Sequence, residues 1–222
     1  MIASRTIEMK TLLTLLLFIP IITFGQIYGD HEVALIKDKD GFTLIRKSPD
    51  KNSSIVDTLF DGEFFQYVKT DRSDWYKTYK MWNTIGYVHK SRIQSLKSLR
   101  KETQYNLIDS IFDKEAILYK ERLKSTTIGG NDIGRHHHEE KFTPILDIFI
   151  EYMCESYNDT LMRKFFDIMI VESGSADETP PTVLGFIYKC QPELVTKLIN
   201  EYNNSVITNN FEFGKANIGI KK

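Results

Sequence analysis

The run "HHHEE", residues 136–140, concentrates more metal-ligating chemistry than any other stretch of the chain. On a helix, His136 would stand one turn from Glu139 and Glu140, and His137 one turn from Glu140, so imidazoles and carboxylates could reach one ion together. The His-Glu-x-x-His order that zinc peptidases place on one helical face is missing, and no Cys pair has structural-zinc spacing. The histidines also follow a glycine-containing stretch, "STTIGGNDIGRHHHEEK", without apolar periodicity. His136, His137 and His138 are therefore expected as a solvated patch on a mobile loop, with no metal ligand and no cofactor assigned. Glu139, Glu140, Asp177 and Glu178 fall in or near loops, and would do acid/base work only if the fold brought them together across a cleft.

Cys154 and Cys190 are the only cysteines. An oxidising compartment would allow a disulfide between them, worth about 3–4 kcal/mol for a loop of that length. The alternative is two buried thiols acting as small hydrophobes. No Gly-x-Ser-x-Gly turn occurs, and "GGNDIG" lacks the preceding strand and the Lys of a phosphate loop. No catalytic residue is assigned.

The elements that must position these groups fall into three parts. In a chain of 222 residues, 41% hydrophobic and 27% charged, there is enough apolar material for one large core or two small ones. A net charge of −1 argues against general nucleic-acid binding. Near the start, Arg5 and Lys10 precede "LLTLLLFIPIITF", Leu12 to Phe24. As a helix that run reaches roughly 20 Å, short of the ~30 Å hydrocarbon core. Thr23 and Gly25 occupy the −3 and −1 positions of a cut before Gln26. Residues 1–25 are thus expected as a cleavable signal peptide, with a periplasmic or secreted product that meets the membrane only before cleavage.

From Gly41 to Ile93, short β-prone runs alternate with turn signals. "FTLIRK" ends at Ser48-Pro49, "IVDTLF" at Asp61-Gly62, and "EFFQYVKT", "WYKTYKMW" and "TIGYVHK" follow. Five such strands predict a small antiparallel barrel. Alternation sends Trp75 and Tyr76 to opposite faces, with Trp75, Phe65, Val88 and Leu59 expected in the core. Gly86 is expected at a close backbone approach or bulge, and His89 at the surface. Tyr76, Tyr79, Trp82 and Tyr87 are the candidate ligand-binding patch, because partly exposed rings on a small barrel can stack on peptides or sugars.

The order of these elements resembles the bacterial SH3-like domains of envelope proteins and cell-wall hydrolases. The resemblance rests on Arg46 to Pro49, on Ile55-Val56 with Leu59, on Gly62, on Trp75-Tyr76-Lys77, and on Gly86-Tyr87-Val88-His89 closing at Ile93. "LIRKSP" departs from the commoner Asn-Val-Arg-x-x-Pro, so the first loop of the family is expected to differ here. The resemblance implies binding to the peptide part of peptidoglycan or to an envelope protein, or service as a scaffold. The related cysteine peptidases set their nucleophile in Asp-Cys-Ser-Gly, which neither "YMCES" nor "YKCQP" matches.

Beyond residue 98 the period becomes helical. Leu107-Ile108, Ile111-Phe112, Leu118-Tyr119 and Leu123 predict an amphipathic helix over 101–124. Thr143 is expected as an N-cap before Pro144, with Ile145, Ile148, Phe149, Tyr152 and Met153 forming the buried stripe. Asn158-Asp159 then caps a helix carrying Met162, Phe165, Phe166 and Met169. Further segments run from about Thr182 to Cys190 and onward from Pro192.

The resulting expectation is an α+β chain with a signal peptide at 1–25, an SH3-like β-barrel at 30–97, an α-helical domain at 98–210 and a tail at 211–222. Its expected function is that of an exported, non-catalytic envelope protein binding cell-wall peptide or a protein partner. The alternatives are an immunity or inhibitor-type protein whose helical part neutralises a secreted effector, and a cell-wall hydrolase of unrecognised type.

Overall fold

The computed structural model describes residues 31–71, 73–80, 83–124, 132–173 and 175–220. The expected signal peptide and Trp82 lie outside the described residues. From Glu32 onward the chain forms one unit with α+β architecture, a seven-stranded antiparallel sheet followed by helices.

The strands are β1 (Glu32–Ile36), β2 (Phe42–Arg46), β3 (Ile55–Phe60), β4 (Phe65–Val68), β5 (Trp75–Lys80), β6 (Asn83–His89) and β7 (Ile93–Ser95). Their order across the sheet is β3-β2-β6-β5-β4-β1-β7. The five predicted runs became β2 to β6. Strands β1 and β7 add two more, pairing Ala34 with Ser95 and Ile36 with Ile93. Period-2 burial puts Ala34, Ile45, Leu59, Phe65, Tyr67 and Val88 in one apolar cluster. Gly86 has φ of +147°, and a Cβ there would come within 2.5 Å of the Arg46 carbonyl oxygen, so the expected close approach between β6 and β2 is present.

Register corrects one expectation. Tyr76 pairs with Val88, and Trp75 with His89. Directly paired residues share a face. Val88 is buried and Tyr76 packs against the same cluster, stacked on Tyr67 with centroids 5.3 Å apart. Trp75 therefore lies on the outward face, edge-on to His89. Trp75 and Val88 cannot both be core, because residues 75 and 88 are not on the same side of the β5–β6 ladder.

The helices are α1 (Lys101–Lys124), α2 (Asp132–His137), α3 (Thr143–Glu155), α4 (Asp159–Val171), α5 (Thr179–Cys190), α6 (Pro192–Tyr202) and α7 (Ser205–Asn217). Ile108, Ile111 and Phe112 of the predicted α1 stripe, with the stripes on α3 and α4, are buried and supply most of a second core, while Leu107 and Tyr119 are half-buried. Asn158 caps α4, its side chain accepting from the Leu161 N–H at 2.9 Å. Asn204 caps α7 in the same way, accepting from Val206 N–H at 2.8 Å. That helix takes in residues 211–217 of the segment expected as a tail. Helices α5 and α7 cross at glycines, where a Cβ on Gly214 would sit 1.9 Å from the Pro181 carbonyl oxygen.

Two further expectations give way. Residues 132–142 are helical rather than loop: α2 runs into a π-helical turn, His138–Phe142, and directly on into α3. Thr143 is consequently inside the helix rather than its cap, and its N–H bonds the His138 carbonyl five residues back. Pro144 brings no N–H to the ladder, and the widened turn just before it absorbs the break. Of the two readings left open for the cysteines, the disulfide is the one present: their Cα atoms are 5.3 Å apart and they sit exposed at the last turns of α3 and α5. Closing a separation of 36 residues is worth about 3–4 kcal/mol.

Val33, Phe64 and Leu96 from the sheet segment belong to the same buried cluster as the helices. Buried Gln104 on α1 donates to the Leu96 carbonyl at 3.0 Å, and Lys141 donates to the Gly62 carbonyl. These contacts clamp the helices onto one end of the sheet.

Candidate functional site

Two places gather functional side chains. The first is a groove of about 720 Å³ on the sheet. Strand β2 supplies Phe42 and Arg46, β5 supplies Trp75, and β6 supplies His89. The flanking turns add Asp38, Asp50, Lys51 and Arg92. Because Trp75 and His89 are paired and outward-facing, their rings form a T-shaped contact 5.3 Å apart in the groove wall. Arg92 is held by Asp38 at 2.6 Å, and Arg46 by the Ser53 carbonyl at 2.8 Å. Both charge signs thus stand beside an aromatic surface, an arrangement suited to a zwitterionic, extended ligand.

The expected aromatic patch divides. Tyr87 pairs with Lys77, and Lys77 stands 5.3 Å over the Tyr79 ring, so Tyr79 and Tyr87 lie on the outward face with Trp75. Tyr76 turns to the core side. None of the three tyrosines lines the groove, and Trp75, expected inside, does. A register drawn from Val88 as a fixed core residue would have found it.

The second place is in the helical part, around the histidines. His137 is 7% exposed, and Glu115 and Glu172 are 2% and 6% exposed, so of the expected solvated patch one histidine is buried and a second, His138, is partly buried. His136 alone stays outside, 3.5 Å from Glu140. Nδ1 of His137 lies 2.7 Å from one oxygen of Glu115, and Nδ1 of His138 lies 2.7 Å from the other. The second ring nitrogen of His138 is 3.1 Å from Asp177. Glu172 brings Oε1 to 3.7 Å from His138 Nδ1 and leaves that oxygen without a hydrogen bond.

Helical geometry explains the convergence. Glu115 follows Ile108, Ile111 and Phe112 at a spacing that places it on the buried stripe of α1, and Glu172 continues the Phe165, Met169 stripe just past the end of α4. The signal available in the sequence was a glutamate at an apolar position of each stripe. Electrostatics follow from the packing. Burial opposes ionisation of Glu115, yet hydrogen bonds from His137 and His138 hold it well below the usual carboxylate range. Burial would lower His138, but bonds to Asp177 and Glu115 push it up to about 10, so its ring donates from both nitrogens. Burial pushes Glu172 up, and the negative charge of Glu115 adds to the effect. Asp177, although partly buried, is held low by His138 and by the Thr179 N–H. Asp177 and Glu172 also line a pocket of about 220 Å³ with Ser173, Ser175, Asn209 and Asn210.

No family model, curated protein or solved structure matches this chain.

Proposed function

We propose that the protein is an exported, non-catalytic cell-envelope protein whose sheet is a bacterial SH3-like domain, binding cell-wall peptide or a protein partner through the Trp75 groove. The helical part offers a second docking surface. The observation that carries the reading is the groove itself, where an aromatic ring stands among Arg46, Lys51, Arg92 and the carboxylates Asp38 and Asp50. Cell-wall peptides present free carboxylates and amines at close spacing, and such a lining answers both. A disulfide between Cys154 and Cys190 supports export, since such bonds persist in oxidising compartments.

Retention on purified peptidoglycan and titration with soluble muropeptides test the reading. Trp75→Ala is expected to weaken binding at least tenfold, about 1.4 kcal/mol, because it removes the groove's largest ring. Equal retention of Trp75→Ala and the parent protein rejects the groove as the site. The inhibitor-type reading, expected of the helical part, finds a feature on the sheet instead, one that shares Phe42 with the groove. Phe42, Ile55, Val56 and Phe60 are 40–57% exposed on β2 and the edge strand β3, an apolar strip that a protein partner could cover. A tight one-to-one complex with a secreted effector, lost in Phe60→Asp, would favour it.

A further inference from the structure

We propose that Glu115, His138 and Glu172 bind one divalent transition-metal ion of borderline hardness, with Zn²⁺ as the type ion. The site goes beyond the recognition role of the sheet and rests on different residues.

One donor atom from each of the three side chains lies within 4.8 Å of the others. Ions of this class, bonded to nitrogen and oxygen at about 2.0–2.2 Å, space their ligands roughly 3.3 Å apart in a tetrahedral shell. The 2.7 Å from His138 Nδ1 to Glu115 and the 3.7 Å from His138 Nδ1 to Glu172 bracket that spacing. Small side-chain rotations would bring both to it. One imidazole with two carboxylates and no thiolate is a donor set for zinc, manganese or ferrous iron rather than for copper(I).

A closed structural ion-pair network would leave no donor over, and here one is left. Glu172 is 5% exposed at its side chain, and its Oε1 faces His138 without a hydrogen bond. Among the described residues, the ion pairs at Glu115, Glu172 and Asp177 are all with histidine, so three carboxyl groups face two imidazoles, with Glu115 and Glu172 buried and Asp177 at the pocket wall. A divalent cation answers that excess by displacing the proton that His138 carries on Nδ1 and the one that burial favours on Glu172, which leave to solvent as the ion binds. His137, bonded to the other oxygen of Glu115, would orient that carboxylate from behind, as outer partners do in metal sites. The π-helical turn that begins at His138 supplies the irregular backbone, and turns of this kind are frequent at functional sites. Access comes from the pocket whose wall includes Glu172 and Asp177.

Equilibrium dialysis of the full chain against Zn²⁺, with metal content measured by mass spectrometry, tests the proposal. The expected result is one equivalent bound with micromolar or tighter affinity and a higher melting temperature. Glu172→Gln and His138→Gln are each expected to lose at least tenfold in affinity, while His136→Ala keeps the parent affinity. Substitution with Co²⁺ should give visible ligand-field bands that collapse in His138→Gln. Should His138→Gln fail to fold by circular dichroism, Glu172→Gln, nearly isosteric, decides alone. Absence of saturable uptake, or equal uptake in Glu172→Gln, overturns the proposal, as does binding that follows His136.

Discussion

Asp147 shows how much a single residue's surroundings decide. It sits on α3 between buried neighbours, and burial pushes its carboxyl up to about 6, with Lys97 opposing and Glu151 adding to the shift. A carboxyl whose folded pKa lies above its unfolded value near 4 keeps a proton in the folded state that the unfolded chain has already lost. The contribution of Asp147 to stability should therefore fall as pH rises from about 4 to about 6, and level off above. The size is on the order of 3 kcal/mol. Asp147→Asn should flatten that slope and be the more stable protein at pH 7, as urea midpoints at pH 4 and pH 7 will show. At the same scale, Trp75 and Tyr76 exchange the faces expected of them. Alternation fixes only that neighbours differ. Pairing with a residue of known burial, here Val88, says which of them points inward.

At the scale of elements, the helical stripes were legible because a run such as Ile145, Ile148, Phe149, Tyr152, Met153 satisfies one period and no other. The segment from Asp132 to Phe142 was not, because Gly134, three histidines and two glutamates carry no apolar stripe. It is helical through its neighbours: His137 and His138 are held by Glu115, and Phe142 packs on Phe112. Tertiary contacts there override weak local preference. Strand β7, three residues long, is likewise too short to carry a period and exists through pairing with β1. The crossing of α5 on α7 gives the sharpest mechanical expectation. The Pro181 carbonyl occupies the space a Gly214 side chain would need, and backbone cannot rotate aside as a side chain can. Gly214→Ala should cost about 2 kcal/mol or more, measured by denaturant unfolding.

Across the whole molecule, the sheet and the helices share buried residues, since Val33, Phe64 and Leu96 join the helical cluster. Cooperative unfolding is the expected consequence. Trp75 stands on β5 and Trp82 follows seven residues later in the sequence, so fluorescence follows the strand segment, while far-ultraviolet circular dichroism reports the helices. The two transitions should coincide in urea. A gap between their midpoints would show that the segments unfold separately and that the shared cluster adds little coupling.

By itself the sequence determined an α+β chain, five of the strands, the helices with strong stripes, and the possibility of a bond between its two cysteines. Those features follow from local periodicity and composition, which act over a few residues. Tertiary structure alone decided which face of β5 is wet, that the cysteines meet, and that the histidine run turns inward to two glutamates 23 and 34 residues from His138 along the chain. Glu115 and Glu172 are ordinary until helix packing removes the water around them, and only then do their charges have to find partners.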